Sequence, residues 1–468
     1  MNKIFTYFFC LLLLATNQLA AQTDSHCGTL LTDEQKVLLL DYAQNGRGFA
    51  TKSAAQYYVP IYFHFVGDDA GKGFYNSHQL MLDLCELNRQ YAAVGFYYYL
   101  AGIEYISNST YFDHDYNGGY DMMRQKNKPN VANVYIVLNP AGNCGYFSPG
   151  RNGVAVGKNC MGTGATTLAH EMGHFFSLPH PFDNVTGVQE YVNGTNCAVA
   201  GDLFCDTRAD FLNTRWNCPY TGNQLDPLGD KYDPDETLFM SYASDHCAHR
   251  FSDEQIDAMK YNINTSRINL KGPLQDTMPV QQTAKRIWPP DNAAQKPTES
   301  KFMWSSVPGA DYYILQVSQI SVFPSNLPVD IMTKDTSYIA TGLTNGRTYR
   351  WRVRPVYAAR TCTDFTTDLG VFVTSLTTGI DAAESTEMLV YPNPAAKNSL
   401  VTVAFQTEQT GEIKASISTV EGKTISSSLL QKQSDLQYSL SIDGLPAGIY
   451  FVELSNGSNT TRHKLMVE

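Results

Sequence analysis

Basic charge is scarce in this sequence: 34 Lys and Arg face 45 Asp and Glu, a formal net charge of −11. That deficit argues against a nucleic-acid footprint and allows attraction to cationic substrates. Long apolar runs are equally scarce. One opens the chain, Met1-Asn2-Lys3 followed by Ile4 to Ala15 and then Leu19-Ala20-Ala21, and it is short for a membrane span. Its basic start and small-residue end read as a signal peptide over 1–21. No later stretch reaches spanning length, so the expectation is an exported, soluble protein. An even cysteine set is also missing: of ten cysteines, Cys10 leaves with the leader. Nine remain, so at least one thiol stays free or pairs with another chain, and export favours disulfides among the rest. Cys85, in an apolar helical stretch, reads most simply as a buried thiol, and Cys362 as unpaired. At 468 residues the chain is too long for one core, and about three folded units are expected.

What is present centres on Thr166-Thr167-Leu168-Ala169-His170-Glu171-Met172-Gly173-His174-Phe175-Phe176-Ser177-Leu178-Pro179-His180. His170 and His174 are four apart, so on a helix they share one face and grip a single metal ion. Glu171 is placed to take a proton from a water on that metal. His180 lies too far along to share the helical face, so the chain must turn back to make it a third ligand. Three neutral imidazoles and a water form an open site, the arrangement of catalytic zinc. An amphipathic helix whose histidines only pack leaves Glu171 beside them without a purpose. Ser177 lies in the stretch that must turn back after the helix, and a serine there costs on the order of 1 kcal/mol if that turn needs positive φ.

Residues 22–52 read as a pro-segment, with Cys27-Gly28-Thr29, a helix from Thr32 to Gln44, and Asn45-Gly46-Arg47-Gly48 as a flexible basic cleavage site. Two readings of Cys27 stand side by side: a thiolate in the water position that holds the enzyme latent, or a disulfide cysteine. Tyr57 to Val66 reads as a first strand, Asn76 to Tyr91 as a helix and Val131 to Leu138 as a buried strand. His64, within the first strand, reads as a packed histidine. Gly153-Val154-Ala155-Val156-Gly157 reads as a short strand just before the metal helix; in the zinc peptidases that the His170 to His180 motif resembles, such an edge strand pairs with substrate backbone. Cys144 and Cys160 flank it and are candidates for a disulfide bracing that rim. Gly201-Asp202-Leu203-Phe204-Cys205-Asp206-Thr207 suits a calcium loop, and equally a solvated acidic loop. Ser252 and Gln255 form a capping box at the start of a helix.

The His170 to His180 motif, with Phe239-Met240-Ser241-Tyr242 and the Cys247, Phe251, Gln255 ending, resembles the pappalysin family of metzincin zinc peptidases, including ulilysin-like bacterial members. The likeness spans roughly Cys27 to Arg267 and departs at Ser177, where the family has glycine. It implies that Met240 is the Met-turn residue below the metal. Tyr242 then supplies a phenol that steadies the oxyanion. The family's calcium site falls on Gly201, Asp202, Cys205 and Thr207. A Met-turn disulfide would join Cys218 to Cys247, and Cys197 with Cys205 is a conjectural second pair. Cys27 matches the thiol of the family's cysteine-switch pro-segment, which moves its reading toward latency. Ulilysin-like members cut before Arg or Lys, and Asp245 is the matching pocket acid, with a loop-capping carboxylate as the plain alternative.

Past Gly272 the composition turns polar and proline-rich, a linker over 272–297. Residues 298–378, with Phe302-Met303-Trp304 and Tyr349-Arg350-Trp351-Arg352-Val353, resemble a fibronectin type III module. Residues 379–468, from Tyr391-Pro392-Asn393-Pro394 to Lys464-Leu465-Met466-Val467, resemble the C-terminal sorting domain of type IX secretion. The expected fold class is therefore multidomain: an α/β metzincin catalytic domain over 53–271, a twisted mixed sheet with active-site helices, followed by two all-β sandwiches. The expected function is a secreted zinc endopeptidase, made latent, cutting before Arg or Lys, with Zn2+ as catalytic and Ca2+ as structural ion. Its partners are protein or peptide substrates and the type IX machinery, with no nucleic acid and no membrane span. Export runs through the periplasm, ending in release or retention at the outer-membrane surface. The competing readings are a surface adhesin or matrix-binding protein with an inert metal fold, and a zinc endopeptidase of other specificity.

Overall fold

The computed structural model describes residues 27–49, 55–277, 282–365, 368–376, 388–405, 411–420, 422–455 and 460–468. The signal peptide expected over 1–21 lies outside the described residues. The chain forms two compact units, Met1–Leu376 and Thr377–Glu468. The first mixes helices and strands before passing to β-sheets, and the second is all β. No helix among the described residues is long and apolar enough to cross a membrane.

The first unit begins with helix α1, Asp33–Asp41, which Thr32 and Gln35 start as a reciprocal capping box. Strands β1 (Tyr57–Gly67), β2 (Phe96–Ser107), β3 (Asp113–His114), β4 (Ala132–Val137), β5 (Asn139–Pro140), β6 (Gly145–Ser148) and β7 (Gly153–Gly157) follow. Five of them build one sheet in the order β2-β1-β4-β7-β6. The first three pairings are parallel and β6 runs antiparallel to β7. Helices α2 (Ser77–Gln90), α3 (Ser109–Phe112), α4 (Tyr116–Lys126), α5 (Thr167–Phe175) and α6 (Asp253–Thr265) complete this part. The apolar side chains of α2, α5 and α6 meet β1, β4 and β7 in one buried cluster, including Leu84, Met172, Met259, Phe63, Val134 and Val154.

Three expectations are corrected here. Gly153–Gly157 is not the edge strand: it lies between β4 and β6, and β6 forms the rim. All five residues of β7 are buried, as a strand covered on both faces requires. The Asn45 to Gly48 stretch is not a loose loop. Arg47 bonds Glu254 at 2.8 Å and the Leu203 carbonyl at 2.6 Å, while the Gly48 amide donates to Asp257 at 2.6 Å. Cys85 and Cys362 are neither a buried thiol nor an unpaired one, because they form a disulfide with each other.

That disulfide joins α2 to the β-module that ends the first unit. Its two sheets are ordered Ser337–Ala340, Ser300–Trp304, Arg286–Trp288 and Val329–Thr333, Tyr312–Ser318, Thr348–Val356, Gly370–Thr374, Ala293–Gln295. Two of these strands fall in the proline-rich stretch, so packing starts earlier than composition suggests. The module has its own aromatic core of Phe302, Trp304, Tyr349, Trp351 and Phe372. Tyr312, Ile314, Met332 and Val356 instead join the buried cluster of the preceding helices and sheet. Polar bonds seal the contact: the Leu100 amide to the Ala358 carbonyl at 2.8 Å, and the Ser77 amide to Asp330 at 2.6 Å. The second unit packs two four-stranded sheets around Val401, Val403, Ile417, Leu440, Val452 and Leu465.

Cutting the chain between residues 277 and 282 should leave both pieces joined on a non-reducing denaturing gel and separate them only with reductant. Separation without reductant would show Cys85 and Cys362 unpaired in solution.

Candidate metal centre and active-site cleft

Helix α5 carries His170 and His174 one turn apart, facing the cleft, and the chain reverses right after it. Ser177 makes that reversal at φ +72°, so the strained turn expected from the sequence is present. Its hydroxyl accepts from Asn262 Nδ2 at 2.9 Å. That bond contributes roughly 1 kcal/mol, enough to offset the strain. The turn brings His180 back beside the helix. Gly173 is needed below: a Cβ there would stand 2.3 Å from Met240 Sδ. Met240 is wholly buried against the floor of the site.

Each imidazole is held from behind. His170 Nδ1 bonds the Phe239 carbonyl at 2.7 Å, and His174 Nδ1 bonds the Leu178 carbonyl at 2.7 Å. His180 Nδ1 instead meets the Asp183 carboxylate at 3.0 Å. Carbonyls only accept, so the two Nδ1 atoms facing them carry the protons, and the carboxylate favours the same tautomer at His180. All three Nε2 atoms then present lone pairs, and they converge: 3.1 Å between His170 and His174, and 3.0 Å between His174 and His180. Three lone pairs at that spacing repel one another unless a cation sits among them. Burial above all pushes His170 down to about 3 and His174 well below the usual histidine range. Neutral rings are what metal ligation requires. The donor set therefore fits a divalent metal.

Cys27 completes the cluster, with its sulfur and the three ring nitrogens all within 4.8 Å of one another. It is the one cysteine outside a disulfide among the described residues. Cys27 pairs in parallel with Gly145 on β6, and the Gly28 amide bonds the Gly145 carbonyl at 2.8 Å. Gly28 passes so close that an added Cβ would lie 2.3 Å from Tyr116 Oη. Thr29 Oγ1 donates to Glu171 Oε2 at 3.0 Å and accepts from the Phe147 amide at 2.8 Å. Tyr242 Oη donates to the Cys27 carbonyl at 3.1 Å. Burial pushes the Glu171 carboxyl up to about 7 and the Cys27 thiol well above its usual range.

The remaining candidates lie around this centre. Asp245 Oδ1 accepts from Thr166 Oγ1 at 2.8 Å and from Arg215 Nη2 at 2.6 Å. Three further disulfides, Cys144–Cys160, Cys197–Cys205 and Cys218–Cys247, brace the rim, the acidic loop and the Met240 segment. In the acidic loop Asp202 is fully buried, accepting from the Phe204 amide at 2.9 Å and from Thr207 Oγ1 at 3.0 Å. Gly201 turns there at φ +57°, and Cys205 is held by its disulfide and by Glu254. Glu190 is the residue sequence reasoning missed: its buried Oε2 has no partner, and it faces Gly201 and Asp202. Nothing local marks it. Asp183 was also missed, although a carboxylate three residues after a ligand is a readable signal.

Residues 151–264 match the family model described as pregnancy-associated plasma protein-A, a peptidase family. Residues 389–468 match that of the secretion system C-terminal sorting domain. The chain is 26% identical over 260 residues to an extracellular metalloprotease of Arthroderma benhamiae, covering 50% of this chain and 82% of the relative. A second extracellular metalloprotease, from Colletotrichum graminicola, is 26% identical over 252 residues, covering 50% and 85%. Among solved structures, a two-domain fibronectin type III segment of chicken tenascin aligns at 16% identity over 40% of this chain and 99% of that one. Its TM-score of 0.15 carries no argument.

Asp183→Ala should weaken zinc binding by about 10- to 100-fold, the usual effect of losing a histidine's outer carboxylate. Chelator competition on the full chain measures this, and an unchanged affinity would reduce Asp183 to a turn cap.

Proposed function

From a chain that carries a pappalysin-type metalloprotease domain and an export-sorting domain, we propose a secreted zinc endopeptidase made in latent form. The observation that carries this reading is the convergence of three Nε2 lone pairs beside a buried glutamate. His170, His174 and His180 would hold the ion. Bound zinc supplies Lewis acidity toward the scissile carbonyl and its attacking water. Glu171 would take the proton of the attacking water and pass it to the leaving amine. Tyr242 Oη, placed over the cleft, donates to the developing oxyanion. The Gly145 carbonyl and Phe147 amide, now used by Gly28 and Thr29, are free to pair with substrate backbone once the pro-segment leaves.

Latency follows from the same contacts. Cys27 would add its sulfur to the three histidines as a further ligand, and Thr29 caps the general base. Side-chain preference would follow from Asp245 as the primed-side acid that selects Arg or Lys. Calcium would sit between Asp202 and Glu190, with Gly201, Cys205 and Thr207 closing its loop, since two buried carboxylates sharing a space call for a cation.

Glu171→Ala in the activated enzyme should cut kcat by at least about 100-fold while zinc stays bound. Cys27→Ser in the uncleaved chain should raise basal peptide hydrolysis, which a chelator then abolishes. Cleavage that survives Glu171→Ala would overturn the assignment of the base. A protein that never cuts, with its pro-segment removed and zinc bound, would favour the adhesin reading.

Burial also pushes Glu190 up to about 7. Its folded pKa exceeds the ordinary value of about 4.3, so the folded chain holds a proton that the unfolded chain has released. Without calcium its contribution to stability is therefore lost as pH rises from about 4.3 to 7. Calcium binds the deprotonated pair, so its stabilisation grows over the same window. At pH 8 and a hundredfold excess over Kd, calcium should raise Tm by about 5 °C. Glu190→Gln should remove that rise. An equal rise in the variant would place calcium elsewhere.

A further inference from the structure

Arg215 is not among the residues the reaction needs, yet it stands at the wall of the site. Next to it, the Trp216 amide bonds the Tyr242 carbonyl at 3.1 Å, and Trp216 bridges in parallel with Ala243. This ties the Arg215 backbone to the segment that carries Tyr242 and Asp245. The guanidinium closes on Asp245 Oδ1 at 2.6 Å, with both side chains about one-third exposed. The same oxygen accepts from Thr166, which begins the metal-binding helix.

A carboxylate already paired with a guanidinium presents almost no net charge to an incoming cation. A substrate Arg or Lys must displace Arg215 or bind Oδ2 with a like charge at close range. We propose that Arg215 is a specificity-determining residue, a resident counter-ion that attenuates selection for basic side chains by Asp245. The inference rests on Asp245 being the primed-side pocket acid, and it departs from that reading in sign. An acid alone implies a steep basic preference, whereas the pair implies a shallow one.

The test uses the activated full chain and two peptides that differ only after the scissile bond, Arg against Leu. The quantity read is the ratio of their kcat/KM values. Arg215→Gln and Arg215→Met should raise that ratio about tenfold, the scale on which one close charge alters discrimination. Arg215→Lys keeps the cation and should hold the ratio within about twofold of wild type. If Gln and Met leave the ratio unchanged while Asp245→Asn abolishes the preference, the role of Arg215 falls and the pocket survives. If Asp245→Asn changes nothing, the pocket reading itself falls and takes this inference with it. Should the Arg215 variants not fold, the wild-type ratio decides: below about tenfold supports attenuation, and above about a hundredfold overturns it.

Discussion

Three imidazole nitrogens, each with its lone pair turned inward, stand about 3 Å apart in a buried space. Much of the local architecture exists to hold them there. Helical periodicity aligns His170 with His174, the Ser177 turn returns His180, and the Phe239 and Leu178 carbonyls fix two tautomers. The Met240 segment closes the floor against Gly173, and a disulfide from Cys218 to Cys247 holds that segment in place. A ring rotated to face outward would relieve the repulsion but would strand its Nδ1 proton. A cation satisfies every one of these constraints at once.

The segment around Cys27 closes on the same geometry. It meets β6 through a single parallel bridge at Gly145 and the Gly28 amide bond to the Gly145 carbonyl. The Cys27 carbonyl already receives the Tyr242 phenol, and Thr29 already engages Glu171. Cys27 and Thr29 thus meet the three histidines, the Tyr242 phenol and Glu171 together. Downstream, Arg47 and Gly48 are anchored to Glu254 and Asp257 on α6. The segment from Cys27 to Gly48 is therefore tied to α6 as well as to the cleft.

What was legible in the sequence was local. His170, Glu171, His174 and His180 fall within eleven residues, so helical spacing and one turn define the geometry. The capping box at Ser252 is local in the same way and is present as read, and Thr32 starts its helix with a box of the same kind. Contacts closed by the tertiary fold left no such trace. Cys85 and Cys362 are 277 positions apart, and an odd cysteine count allowed either to be single. The rim strand was misjudged because branched residues make β7 look stronger than Gly145–Ser148. Burial does not separate the two, since every residue of both strands is buried; only the pairing order places β6 at the rim. Arg215 and Glu190 carry no motif, since their partners meet only in the folded chain.

The sheet has two edges, and the protein treats them differently. One, β6, is met by Cys27 and Gly28 through one bridge and one backbone bond. An open edge is an invitation to unwanted pairing, so leaving both free would be a liability in a protein built for export. The other edge, β2, is closed by the β-module, which bonds the Leu100 amide and places the Tyr97 hydroxyl on the Ala359 carbonyl at 2.7 Å. A disulfide between α2 and the module makes that closure covalent. Sharing Tyr312, Ile314 and Met332 with the catalytic core makes it hydrophobic as well. The module is therefore a wall of the enzyme: it covers β2, while the segment around Cys27 lies against β6.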